Sequence, residues 1–128
     1  MGVLGDYSEA FTVDGNYRAV YDLCLRYWQG LGYRLKDQVE HSFLAFDRGR
    51  LRKNLYTFSF EEAYKQVFIS LVRAPGVPVT TVHICFSLPW LALRKNDIRT
   101  IRSMIKAFKE HIEIALGYQV QPSRGASP

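Results

Sequence analysis

The sequence predicts an α+β domain in two layers: an antiparallel sheet of four to five strands, with an N-terminal helix and a long C-terminal helix packed on one face. Three patterns carry that expectation. Between residues 94 and 117, Ile98, Ile101, Ile105, Phe108, Ile112 and Ala115 recur at steps of three and four, the spacing of one helical face. Lys65–Arg73 and Val79–Leu88 alternate apolar with polar residues at the period of half-buried strands, and Pro75-Gly76 between them suits a type II turn. A second helix-period segment, residues 14–30, precedes the strands. A sheet with one apolar face and two helices with matching stripes bury those surfaces most simply as two layers.

Taken in order, residues 1–7 read as a loose start, residues 8–118 as the single domain and residues 119–128 as a disordered tail, because the last stretch is rich in Pro, Ser and Gly without periodicity. Ser8–Val13 reads as a short strand. Asp14 is the expected N-cap of a helix to about Gly30, in which Tyr17, Val20, Cys24, Tyr27 and Leu31 form the apolar stripe and Tyr21 and Trp28 widen it. Gly30 and Gly32 end it. Tyr33, Leu35 and Val39 alternate with polar residues as a half-buried strand whose phase breaks at Asp37. After a polar turn at Glu40–Ser42, Phe43–Arg48 forms the partner strand, ending at Gly49. Tyr56, Phe58 and Phe60 suggest a further short extended segment, with Glu61 and Glu62 in a solvated turn. Pro89 closes the last strand, and Asn96 or Asp97 caps the long helix.

In this order of elements, over about residues 8–117, the chain resembles the helix-grip arrangement of the START and Bet v 1 group. The resemblance implies the same packing of sheet on helices. Being one of element order, it implies no activity.

Composition narrows the function classes. At 128 residues the chain fits one core, and its hydrophobic share of 48% excludes disorder throughout. No apolar run is long enough to span a bilayer and no basic flank with an apolar signal core opens the chain, so a cytoplasmic protein without a transmembrane segment is expected. Cys24 and Cys85 both sit in apolar-patterned segments, the setting of reduced thiols. The net charge of +5 is uneven. Residues 1–47 carry seven acids against four cations, a net of −3, whereas residues 48–109 carry twelve cations against three acids, a net of +9. Such asymmetry favours an anionic partner or antiparallel pairing in a homodimer.

The leading functional reading is therefore a non-enzymatic binding domain. Lys95, Arg99, Arg102, Lys106 and Lys109 step along one face of the long helix, and Arg48, Arg50, Arg52 and Lys53 cluster in a loop. Together they suit an acidic protein surface, an anionic membrane surface or nucleic acid. Pro89–Leu93, centred on Trp90, adds an apolar wedge beside Arg94 and Lys95. Simple solvation of those charges is the plain counter-reading. The alternative function is a helix-grip-like carrier in which Tyr17, Tyr21, Tyr27, Trp28 and Trp90 line a cavity for a small apolar or aromatic ligand, although aromatics at this spacing also serve as ordinary core. A Cys/His enzyme using His83 and Cys85, neighbours on one strand face, ranks third for want of an orienting residue. His41 and His111 lack metal-ligand spacing and neither cysteine belongs to a C-x-x-C, so no metal, cofactor or catalytic residue is expected.

Overall fold

The computed structural model describes residues 6–50, 60, 63–89 and 93–125, with side chains as far as residue 117. Its elements run β1 (Asp6–Asp14), α1 (Tyr17–Gly30), β2 (Arg34–Val39), β3 (Phe43–Arg48), β4 (Lys65–Arg73), β5 (Val79–Ser87) and α2 (Lys95–Gly125). The strands form one antiparallel sheet in the order β1-β5-β4-β3-β2, a four-strand meander to which β1 is added beside the last strand. This register gives the molecule two different ends. The tight turns at 39–42 and 74–78 gather at one, the turn end. The ends of β3 and β5 and the start of β4 gather at the other, the loop end, where Arg34 faces Asp47, Arg48 faces Lys65, and Ser87 faces Asp6 and Gln66. The expected extended segment around Tyr56 and Phe58 lies outside the described residues, as do Glu61 and Glu62. Phe60 is described and buried.

Alternation sorts the sheet's two faces as expected. Val67, Ile69 and Leu71 of β4, with Val82, Ile84 and Phe86 of β5, are buried beneath the helices, joined by Leu44 and Phe46 of β3 and Val13 of β1. The opposite face carries Thr81, His83, Cys85 and Ser87. At Gly76 the backbone takes φ +79°, the left-handed value required at the third position of a type II turn and free of steric cost only in glycine. The phase break foreseen at Asp37 is a register shift between Leu35 and Asp37. β2 departs from expectation in burial. It is an edge strand with only Leu35 partly covered, Val39 is 58% exposed, and charged Lys36 and Asp37 blunt the edge against further pairing.

The cap of α1 differs from the sequence reading, whereas that of α2 is one of the two residues expected. Asp14 is the last residue of β1, paired with Val79, so the capping role passes to Asn16, whose Oδ1 accepts from the amides of Arg18 and Ala19 at 2.8 and 3.2 Å. At the start of α2, Asp97 caps from inside the helix: its carboxylate accepts from the Arg94 amide at 3.0 Å and from Arg94 Nε at 3.2 Å. The buried face of α1 is Val20, Tyr21, Cys24 and Trp28, rotated from the expected stripe, while Leu31 is 43% exposed. Tyr21 and Trp28 are thus central rather than marginal. On α2 the expected stripe holds, with Ile101, Ile105, Phe108 and Ile112 buried, Ile98 and Ala115 partly so, and Leu116 extending it. The helix is traced to Gly125, overlapping the stretch read as tail.

Candidate functional site

The aromatic residues singled out in the sequence do not form one group. Trp28 lies fully buried between the layers, edge-on to Tyr27, Tyr33, Phe86 and Phe108 at centroid distances of 5.3, 5.0, 5.7 and 5.3 Å. Edge-to-face contacts at these distances are the favoured arrangement of aromatic quadrupoles. Its indole Nε1 is buried and has no hydrogen-bond partner. Tyr27 is only partly buried and lies against both Phe108 and His111, so the cluster reaches solvent along the seam between α1 and α2. Burial raises the Tyr27 phenol pKa, and it raises the Cys24 thiol far more strongly, which leaves that cysteine inert. Trp90 lies outside the described residues.

Tyr17 sits about three helical turns from Trp28 and Tyr21 about two, toward the turn end. Both meet the His41 ring edge-on, at 5.8 and 5.4 Å, and the Tyr21 hydroxyl donates to Gln38 Oε1. His41 itself holds φ +66° in the β2–β3 turn, a conformation that costs a non-glycine residue on the order of 1 kcal/mol and is held here by the two tyrosine rings. Sequence spacing gave no sign of this cluster, because His41 comes from the β2–β3 turn and the two tyrosines from α1.

The basic helix row is real but partly committed. Lys95, Arg99, Arg102 and Lys106 are exposed and Lys109 is half-buried. Arg102 Nε donates to the Tyr7 hydroxyl at 2.9 Å, and that hydroxyl donates to Glu9, so Arg102 ties α2 to the edge strand β1. Lys109 lies over the Phe11 ring at 5.9 Å. Lys95, Arg99 and Lys106 are exposed, Arg99 reaching Asn96 Oδ1 among the described residues. Of the loop cations, Arg48 lies over the Tyr33 ring and Arg50 is exposed; Arg52 and Lys53 lie outside the described residues. The start of the helical row shares the loop end of the sheet with Arg48 and Arg50.

His83 and Cys85 do share the face turned away from the helices, above a shallow depression of about 460 Å³ that Phe68, Ser70, Ser8 and Ala10 also line. His83 is exposed, and the Cys85 thiol donates weakly to the Phe86 carbonyl rather than to a base. Among the described residues no three His, Cys, Asp or Glu side chains group to hold a metal ion, and no helix is long and apolar enough to cross a membrane.

The fold has known counterparts. A crystal structure of DR_A0006 from Deinococcus radiodurans superposes with a TM-score of 0.54 at 12% identity, covering 86% of this chain and 98% of the other. Ara h 8.0201 superposes with a TM-score of 0.57 at 10% identity over 93% of this chain and 99% of its own. An uncharacterised protein from Bacillus thuringiensis gives 0.50 at 8% identity, with 86% and 97% covered. The architecture is the helix-grip, Bet v 1-like α+β fold. No protein-family model matches the chain, and a search of curated proteins finds no match.

Proposed function

We propose that the chain is a carrier of a small apolar or aromatic ligand, held between helices and sheet with Trp28 at the centre of the contact. The carrying observation is the Trp28 indole N–H, fully buried among four rings without an acceptor. A buried donor left unmade costs about 1–3 kcal/mol, so a ligand bringing one oxygen acceptor on an apolar body gains that hydrogen bond as well as its own burial. The helix-grip architecture supports the reading, and the partly exposed Tyr27 offers the route in along the helix seam. Native mass spectrometry of the protein purified from its host tests it. The expected result is a mass excess of one small molecule that denaturation releases and that Trp28→Phe diminishes; a bare polypeptide mass for the parent protein speaks against the reading.

A second reading keeps the exposed cations of the long helix and the loop end as a surface for an anionic macromolecule, supported by the exposure of Lys95, Arg99, Lys106 and Arg50. Arg99→Glu with Lys106→Glu is expected to abolish binding to heparin while shifting stability by no more than about 1 kcal/mol, because exposed charges contribute little. Undiminished heparin binding removes this surface from consideration. Arg102→Glu is the contrasting variant, since it also breaks the link to Tyr7 and is expected to loosen β1.

A further inference from the structure

We propose that the cleft at the turn end of the sheet is a separate binding site for a small aromatic carboxylate, in which Arg73 takes the carboxylate and Tyr17 with the 75–79 turn flanks the aromatic body. The site is distinct from the Trp28 cluster, lying at the opposite end of α1, and stands or falls independently of it.

The groove has the dimensions and chemistry of a ligand cleft. Tyr17, Arg73 and the turn residues Pro75, Val77 and Pro78 line about 470 Å³, and Tyr17 and Arg73 also border a second hollow of about 280 Å³ lined by His41, Ser42 and Leu71. Known small-molecule pockets occupy roughly 300–1,000 Å³ and combine apolar walls with a few polar groups.

Charge points to the ligand's sign. The Arg73 guanidinium lies over the Tyr17 ring, 4.6 Å from its centroid, and that of Arg18 lies at 5.7 Å. Arg18 Nε also reaches the Tyr17 hydroxyl at 3.4 Å. Neither guanidinium is within 4.0 Å of a carboxylate among the described residues. The one acid lining the cleft, Glu40, stands 3.9 Å from His41 Nε2 with its own side chain 82% exposed. Two cations therefore converge on one phenol without a counter-charge. The hydrogen bond and charge of Arg18, and after them the charge of Arg73, draw the Tyr17 pKa below the ordinary tyrosine value, the same field an incoming anion would meet.

Shape points to the ligand's class. Stacking on a ring occupies the face of a guanidinium and leaves in-plane N–H groups as a fork that matches a carboxylate in two parallel hydrogen bonds. Beside it, the Tyr17 ring and the exposed Val77 offer apolar surface that an inorganic anion would leave unused.

The test is an amide-resonance titration of the full chain with phenylacetate, its neutral isostere phenylacetamide and inorganic phosphate. Phenylacetate is expected to shift residues 40–42 and 73–79 saturably, with phenylacetamide and phosphate each at least tenfold weaker. Arg73→Gln should weaken phenylacetate at least tenfold and Arg73→Lys less, the charge being kept and the fork lost; Arg18→Gln gives a second reading should Arg73→Gln prove unfolded. Equal binding of phenylacetamide, unchanged affinity in the folded glutamine variants, phosphate binding as tight as phenylacetate, or no saturable shift at those residues would each overturn the proposal.

Discussion

Replacing Phe108 with alanine is expected to lower the unfolding free energy by about 3–5 kcal/mol, the cost of emptying a large aromatic site that its neighbours cannot refill. Phe108 has no exposed surface, and its ring meets Phe11 from β1 at 5.8 Å, Tyr27 at 5.1 Å and Trp28 at 5.3 Å. It is therefore a residue through which α2 packs at once on α1 and on the edge strand of the sheet. Urea unfolding followed by far-UV circular dichroism measures the change. A midpoint equal to that of the parent protein would mean that the stripe of α2 is not core.

Lys65→Met is the second large effect, expected at about 2–4 kcal/mol. Lys65 is 1% exposed, and its Nζ donates to the carbonyls of Phe60 at 2.7 Å and Ala63 at 3.0 Å while lying over the Phe60 ring at 4.7 Å. A buried cation can often be exchanged for an apolar residue without loss when its partners leave with it. Here they stay. The two backbone carbonyls lose a charge-assisted donor, and a buried acceptor left unmade costs about 1–3 kcal/mol. The same urea titration reads the result, and a methionine variant as stable as the parent would show that water reaches those carbonyls readily.

Lys65 also shows where sequence reasoning stops. Its position in an alternating strand marks it as facing the same way as Val67 and Ile69, so its burial follows from the period of two. What its ammonium grasps does not, since side-chain spacing says nothing of where the carbonyls of Phe60 and Ala63 point. The two-layer architecture was legible because each element repeats its own signal: α2 by its stripe, β4 and β5 by alternation, the turn by Pro75-Gly76. The α1 face was misjudged by one position because Tyr17, Tyr21, Tyr27 and Trp28 all carry apolar surface, and only packing against Phe86 and Phe108 selects Trp28. The cap of α1 was misplaced for a related reason. Asp14 and Asn16 are both good capping residues, and the choice falls to the strand pairing that claims Asp14.

The candidate sites were legible only in part. A cationic row can be counted from spacing, but its division into Arg102 and Lys109, which hold β1, and Lys95, Arg99 and Lys106, which do not, depends on a strand ninety residues away in the chain. The cluster of Tyr17, His41 and Arg73 has no sequence signal at all, being assembled where α1 begins and two hairpins turn.

The central claim is that Trp28 offers its buried N–H to a ligand acceptor. The chain has two tryptophans, so in a Trp90→Phe protein the indole proton resonance belongs to Trp28 alone. Titration with 2-acetylnaphthalene, an apolar aromatic body with one carbonyl, should move that resonance downfield and saturably, whereas 2-ethylnaphthalene, of similar shape without an acceptor, should not produce the downfield shift. An indole proton that stays in place throughout the acetylnaphthalene titration, or that responds equally to both compounds, would contradict the account.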